Sequence, residues 1–352
     1  MDDSALDDLE VVIPNLHWRY SGVTATNRMI APRLARLMPV AWFGSDRPQG
    51  MARLAISDLL RLWFARPRKL RIWHARRNNE MMVGLLLKVL GFPFRLVFTS
   101  AAQRHHTWIT RFLIARMDGV IATSEASASY LRRPATVILH GIDTDRYAPA
   151  PDRDKAFAEA GLPGRYAIGC FGRVRAQKGT DVFVAAMCRL LPLYPDFCAV
   201  IVGPITPDQR AFATALQQDV AQAGLAERLR FLGELPIDEV PHWYRRLLIY
   251  AFTSRNEGFG LTLLEAMAAG AALVAARAGA AEKVVADGET GLLVPPGDVE
   301  ALVAALEPLM RDPQMAATMG AKARERVLRE FGVEAEAKKI AAFHRAVLTA
   351  SG

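Results

Sequence analysis

From residue 10 to about residue 294 the chain alternates short β-rich apolar runs with longer segments of helical period. This βαβα rhythm constrains the fold more than any other feature, because parallel strands need a crossover between them and the crossover helices must cover the sheet. In the first half the spacing predicts strands near 10–14, 40–43, 71–74, 95–99, 119–123 and 136–139, with helices such as 79–90 and 108–116 between them. Residues 147–165, with Pro149, Pro151, Pro163 and Gly164, break the rhythm and read as a connection between domains. It resumes with strands near 166–171, 199–202, 229–231, 248–252, 272–275 and 291–294, and helices near 179–191, 208–223, 238–246 and 260–269. After Asp298, a helix-capping residue, the chain is helical to its end, with Pro313 opening another helix. Two doubly wound domains in tandem follow, which suits 352 residues.

No period of 20–50 residues marks a solenoid. The apolar run 258–276 holds Glu265 and Gly270 and ends in a strand-like segment, so it reads as buried helix plus strand rather than a membrane span. Cys170, Cys188 and Cys198 show neither CxxC spacing nor neighbouring histidine, which argues against a disulfide scaffold or a zinc site and suits core positions in a cytosolic protein. The start of the chain carries Asp2, Asp3, Asp7 and Asp8, the wrong charge for an export signal.

Charge is unevenly spread. Residues 11–135 hold 20 bases, 18 of them Arg, against five acids, a balance of +15, while residues 136–352 balance at −2. A basic half beside a neutral half points to something anionic meeting the first domain: nucleic acid, phospholipid head groups or a phosphorylated substrate. A solvated face studded with arginines is the plainer alternative. Residues 59–64 followed by Arg66, Arg68 and Lys69 have the composition of a membrane-surface contact, although the same pattern also packs on a sheet. Trp18, Trp42, Trp63 and Trp108 read as core or as an interfacial belt, with core preferred.

Two constellations carry chemistry. The first is Phe171-Gly172-Arg173-Val174-Arg175-Ala176-Gln177-Lys178-Gly179, running from an apolar strand into a helix. A glycine-rich strand-to-helix turn lets backbone approach a phosphate while Arg and Lys supply charge. It has neither the GxGxxG nor the GxxxxGK[ST] spacing, and alone it is equally a surface loop with two solvated bases. The second is Asn256-Glu257-Gly258-Phe259-Gly260-Leu261-Thr262-Leu263-Leu264-Glu265, after the strand at 248–252. Gly258 and Gly260 leave backbone N–H groups at the helix start able to face an anion, and Glu257 and Glu265 suit sugar hydroxyls, since an ionised carboxylate accepts several hydrogen bonds. The alternative is a capping Glu257 and a structurally paired Glu265.

Taken together, the Glu257-to-Glu265 spacing, the enclosed Gly-Phe-Gly, the Gly-Arg…Lys-Gly loop, Asp287-Gly288-Glu289-Thr290-Gly291 and His140-Gly141-Ile142-Asp143 resemble the retaining nucleotide-sugar glycosyltransferases of family 4. In the first half Ser21-Gly22-Val23-Thr24, Trp73-His74-Ala75-Arg76-Arg77-Asn78 and Thr99-Ser100-Ala101-Ala102-Gln103-Arg104-His105-His106-Thr107 resemble the bacterial lipopolysaccharide-core mannosyltransferases. The resemblance implies the α/β GT-B fold, two tandem Rossmann-like doubly wound parallel-sheet domains facing a central cleft. Residues 1–150 would bind the acceptor and 151–330 the nucleotide-sugar donor, with 331–352 a C-terminal helix whose return to the first domain stays open.

By the same resemblance Arg173 and Lys178 hold the donor diphosphate, Glu257 touches the donor sugar and Glu265 binds the ribose. Gly172, Gly258, Phe259, Gly260, Leu261 and Thr262 complete the donor cradle. Gly22, His74, Arg76, Arg77 and Arg104 belong to the acceptor side, and His105 or His106 projects towards the reacting sugar. His74 has a second reading, as a structural hydrogen-bonding group, and His17, His242 and His344 are read as surface or packing residues.

With Arg173 and Lys178 supplying charge, no metal and no cofactor beyond the donor is expected; Asp143-Thr144-Asp145 mimics a metal-binding DxD but lies in the segment matching Asn-Gly-Ile-Asp. No carboxylate pair has hydrolase spacing. The expected reaction is mannose transfer from GDP-mannose to the inner core, or Kdo region, of a lipopolysaccharide precursor. The expected place is the cytoplasmic face of the inner membrane, in contact with its anionic surface. The nearest alternative uses UDP-glucose or another nucleotide sugar on a different acceptor. A nucleic-acid-binding protein would show interleaved aromatic and basic residues on a known module, and none of those signatures is present. A non-catalytic shell is disfavoured by the presence of all four of Arg173, Lys178, Glu257 and Glu265.

Overall fold

A computed structural model of the chain describes residues 1–17, 22–64 and 69–350; Trp18, Ser21, Arg66 and Arg68 lie outside them. The chain forms two compact units, Met1–Gly141 with Val333–Gly352, and Ile142–Gly332.

Among the described residues the first unit is built on seven strands: β1 (Val11–Asn15), β2 (Val40–Gly44), β3 (Ala52–Arg53), β4 (Arg71–Ala75), β5 (Phe94–Ser100), β6 (Gly119–Ala122) and β7 (Thr136–Val137). They pair in the order β3-β2-β1-β4-β5-β6-β7, every pair parallel. Alternate strand residues serve opposite faces, as a two-residue period requires. Val12, Trp73, Leu96 and Phe98 join the core under the helices Ile56–Phe64, Asn78–Val89 and Trp108–Ala115. Val11, Ile13, Ile72 and Val97 join a second core under Gly22–Leu34 and the final helix Val333–Thr349.

The second unit holds six parallel strands: β8 (Tyr166–Phe171), β9 (Phe197–Val202), β10 (Leu229–Gly233), β11 (Leu247–Phe252), β12 (Ala272–Ala276) and β13 (Leu292–Val294), in the order β10-β9-β8-β11-β12-β13. The four central strands β8, β9, β11 and β12 are almost wholly buried and correspondingly rich in Val, Ile, Leu and Ala, as expected of a sheet covered on both faces, while the edge strands β10 and β13 are only partly buried. The run 258–276 divides into the helix Leu261–Ala268 and β12. Asp298 caps the helix Val299–Arg311 by accepting the Ala301 N–H at 2.9 Å, and Pro313 opens Pro313–Glu330.

Three expectations need correction. The chain passes between units at Gly141–Ile142, not at residue 150: Ile142 N–H bonds the Phe331 carbonyl at 2.8 Å, Arg245 bonds the carbonyls of Arg146 and Ala148, and these ties give residues 142–150 to the second unit. Residues 147–165 therefore lie within that unit. Trp108 is 70% exposed and Trp63 36%, so they are not core, whereas Trp42 and Trp73 are completely enclosed.

Cys170 and Cys198 are buried, and burial pushes their thiols up to about 11 and about 12, leaving both uncharged at neutral pH. Among the described residues no helix is long and apolar enough to cross a membrane.

Candidate active site

In each unit the strand order reverses between two adjacent central strands, β1 and β4 in the first and β8 and β11 in the second. At such a reversal the loops leave the strand ends in opposite directions and open a crevice at the carboxyl edge, the usual ligand site of an open parallel sheet. The loop 172–179 leaves β8 and the loop 253–260 leaves β11. The two chemistry-bearing segments, 80 residues apart in sequence, therefore border one crevice.

They are stitched together by hydrogen bonds that all end on backbone carbonyls. Arg255 N–H bonds the Gln177 carbonyl at 2.9 Å, Thr253 Oγ1 donates to the Lys178 carbonyl at 3.0 Å, and Gln177 Nε2 donates to the Asn256 carbonyl at 3.2 Å. Gly179 makes the approach possible. Its φ is +68°, and a Cβ there would stand 1.9 Å from the Thr253 carbonyl oxygen. Arg255 adds a bidentate pair to Asp181 at 2.7 Å for each oxygen, fixing the second loop to the start of the helix Thr180–Leu190.

Lys178 Nζ donates to Glu257 Oε2, and both side chains remain about one-fifth exposed. Glu257 Oε1 also accepts the Gly258 N–H at 3.1 Å. An ammonium and a carboxylate thus meet at the crevice with an open side towards solvent. Arg173 is exposed on the first loop, and Gly172 lies half-buried at its start with φ +142°. Gly260, at φ +95°, caps the helix Leu261–Ala268, so Leu261 and Thr262 form its first turn; Phe259 is buried beneath them. The first-turn N–H groups of a helix have no partner within it and carry the positive end of its dipole.

Glu265 is held by two tyrosines: Tyr147 donates to Oε1 at 3.0 Å and Tyr244 to Oε2 at 2.8 Å. Burial raises its pKa, and the two hydroxyls pull the other way. Each carboxylate oxygen has two lone pairs, so both still have an acceptor position for a further hydroxyl. Sequence reasoning did not find this clamp. Tyr147 is 118 positions from Glu265, and no local spacing links them.

At the first unit's reversal, Arg77 reaches Asn15 Oδ1, Glu80 Oε1 and Thr24 Oγ1, each at 2.8 Å, tying the end of β1 to two helices. Arg76 is half-buried beside Glu80 and Glu336; burial lowers its pKa and both carboxylates raise it. His74 is 3% exposed, with Nε2 at 2.7 Å from Thr99 Oγ1 and Nδ1 at 3.0 Å from His344 Nε2. The acceptor-binding assignment of His74 is therefore corrected: both nitrogens are engaged, and burial, then His344 and Arg76, drive its pKa well down, leaving no charge to offer an anion.

Gly22 begins the helix Gly22–Leu34, exposed, with open space where a Cβ would go. Arg104 and His105 are exposed, the latter edge-on to Tyr130 with ring centres 5.3 Å apart. His106 is half-buried in a pocket with Arg111, Tyr130 and Arg133, its pKa lowered by burial and then by Arg104. His140 Nδ1 meets Glu336 Oε1 at 2.9 Å. Asp143 Oδ1 accepts the Arg146 N–H at 3.0 Å, closing a turn.

Residues 152–326 match the family described as glycosyl transferases group 1. The lipopolysaccharide core biosynthesis mannosyltransferase LpcC of Rhizobium leguminosarum bv. viciae is 48% identical over 97% of this chain and 97% of its own length. The corresponding LpsB of Rhizobium meliloti is 45% identical over 97% of this chain and 98% of its own. The chain belongs to the group 1 glycosyl transferases. This glycosyltransferase has the GT-B fold: a glycosyltransferase of Rickettsia africae superposes with a TM-score of 0.82 at 18% identity, covering 98% of this chain and 100% of that one.

Proposed function

We propose that this glycosyltransferase moves mannose, with retention, from GDP-mannose to the inner core of a lipopolysaccharide precursor at the cytoplasmic face of the inner membrane. The carrying observation is the Lys178–Glu257 pair at the second unit's strand reversal, in a chain 48% identical along its length to a lipopolysaccharide core mannosyltransferase.

The chemistry required is the departure of a diphosphate. The bond from the anomeric carbon to the phosphate oxygen breaks, the acceptor hydroxyl oxygen bonds that carbon on the same face, and its proton passes to the leaving phosphate. Positive charge develops on the sugar and negative charge on the diphosphate. Preorganised cations and N–H donors at the diphosphate lower that barrier without reorganising. In this reading Lys178, with Arg173, neutralises the diphosphate, and the helix-start amides around Gly260 and Leu261 receive phosphate oxygens. Glu257, released from Lys178 as the diphosphate takes its place, accepts from the sugar hydroxyls. Glu265 uses its remaining acceptor positions on the ribose. Arg76 and Arg104 attract the anionic acceptor, with His105 or His106 beside the reacting sugar.

The test is transfer from radiolabelled donors to a Kdo-bearing lipid A acceptor in the presence of a chelator. Mannose incorporated from GDP-mannose, with the α-configuration retained, supports the reading; incorporation only from UDP-glucose would replace the donor.

A further inference from the structure

The two adjacent histidines of the loop after β5 are placed differently. His105 is exposed and lies edge-on to Tyr130, whereas the His106 Nε2 is enclosed and has no hydrogen-bonding partner. A buried polar nitrogen left unpaired costs stability unless a ligand meets it. His106 lines a cavity of about 60 Å³ between the helix Trp108–Ala115 and residues 130–133. At roughly 30 Å³ for each water, that is room for one small head group, with the rest of a larger molecule outside.

The charge around the cavity selects the head group. Ile114 and Leu131 give it apolar walls, Arg111, Arg132 and Arg133 border it, and none of its lining residues is an acid. Residues 101–135 hold five arginines and two acids, Asp118 and Glu125. Asp118 is taken up by Lys88 at 2.7 Å and Arg95 at 3.3 Å, and Glu125 opens the short helix Glu125–Ser129, whose other end leads to Tyr130. Asp3 of the acidic N-terminal helix pairs with Arg61, on an element that contributes nothing to the cavity.

The last carbonyls of a helix carry negative partial charge and would oppose an anion. Arg133 occupies them. Its Nη1 donates to the Ile114 carbonyl at 2.9 Å and the Met117 carbonyl at 2.8 Å, which also fixes residues 130–133 as a wall. Burial, then Arg104, lowers the His106 pKa, so the ring is neutral at pH 7 and can carry its one proton on Nε2.

We propose that this cavity seats an oxyanion of the acceptor, a carboxylate or a phosphate, which accepts from His106 Nε2 and from the exposed guanidinium groups of Arg111 and Arg132. A guanidinium fork matches either group with two parallel hydrogen bonds, and apolar walls strengthen those bonds by excluding water. His105 is then the histidine left for the reacting sugar.

The inference rests on the transferase reading for the identity of its ligand. Arg111→Gln and Arg132→Gln change exposed side chains outside the donor crevice. With GDP-mannose and a Kdo-bearing lipid A acceptor, each should raise the acceptor KM about tenfold and leave kcat and the donor KM within about twofold. The rise should vanish on an acceptor whose Kdo carboxylates are reduced to alcohols if a carboxylate fills the cavity, or on a dephosphorylated acceptor if a phosphate does. A wild-type acceptor KM in either variant, or an equal rise on both stripped acceptors, overturns the proposal.

Inorganic phosphate and free Kdo, titrated separately into the full chain, are followed by the His106 imidazole nitrogen signals in NMR. A shift at Nε2 that Arg111→Gln weakens supports the site, and no shift with either probe overturns it. A shift with phosphate in the absence of any KM effect would make this a site for free phosphate and overturn the acceptor assignment. If no protein transfers mannose, the transferase reading fails, and the same titration still decides whether the cavity binds an oxyanion.

Discussion

Tyr244 donates its hydroxyl to Glu265 Oε2 at 2.8 Å from a side chain that is itself fully enclosed between Phe171, Tyr147 and Tyr250. The carboxylate is thus set in place by enclosed side chains, and a rotated Glu265 would cost a buried hydroxyl its carboxylate partner. Hydrogen bonds to a charged partner contribute about 1.5–3 kcal/mol, so Tyr244→Phe should raise the donor KM about tenfold or more with a smaller change in kcat. The same substitution removes a contact that holds the Glu265 pKa down against burial, so the KM increase should grow as pH falls. Steady-state kinetics across pH read both effects; a kcat loss with unaltered KM would place Glu265 elsewhere in the reaction.

Lys178 and Glu257 neutralise each other at the crevice. Removing either leaves its partner uncompensated and also removes its own role. Lys178→Ala should lower kcat about 10²–10³-fold, the size typical for one preorganised electrostatic group. Glu257→Gln, which keeps the shape and loses the charge, should lower kcat with donor affinity largely kept. Single-turnover measurements separate the two, and near-normal chemistry in both variants would remove the pair from the active site.

Gly179→Ala tests the stitching of the two loops. A left-handed φ costs a non-glycine residue about 1–3 kcal/mol, and here the added carbon also meets the Thr253 carbonyl. The second unit should lose about 3 kcal/mol, lowering its unfolding temperature by roughly 6–12 °C. Differential scanning calorimetry measures it, and an unchanged transition would mean that the loops are not held as described.

The buried His74–His344 pair makes stability depend on pH. Burial depresses both, His344 to about 3, whereas the unfolded chain takes up protons near the ordinary value of about 6.5. The unfolded state therefore binds more protons across the interval between them, and stability falls as pH drops through it, by up to about 1.4 kcal/mol per pH unit for each histidine. His344→Gln, which cannot titrate, should flatten the dependence between about pH 6.5 and 5.5, above the range where ordinary carboxylates, with pKa values of about 4, protonate. Denaturant titrations at stepped pH test this, and parallel curves for variant and wild type would refute it. Arg76, Glu336 and Glu80 share that interior and set the background.

Much of the architecture was legible because the fold writes itself locally. Parallel strands buried on both faces appear as apolar runs, and the turns at 172–179 and 256–260 announce themselves by glycine beside charge at strand ends. What stayed hidden depends on distant pairing. His74 and His344 are 270 positions apart, and a histidine at a strand end looks the same whether it meets solvent or another imidazole. The two-residue edge strand Ala52–Arg53, both residues exposed, has no apolar run to reveal it. Trp108 was misplaced because hydropathy measures what a residue is, and only the packing decides which side of the helix it occupies.

Calorimetric titration of GDP into the full chain, with a chelator present, tests most directly whether the activated sugar's diphosphate is held at the second unit's crevice. One nucleotide should bind per chain, at least 100-fold more weakly when Arg173→Ala and Lys178→Ala are combined, and unaltered in Arg104→Ala. Binding that ignores the paired substitution, or no binding of GDP to the unaltered protein, would contradict it.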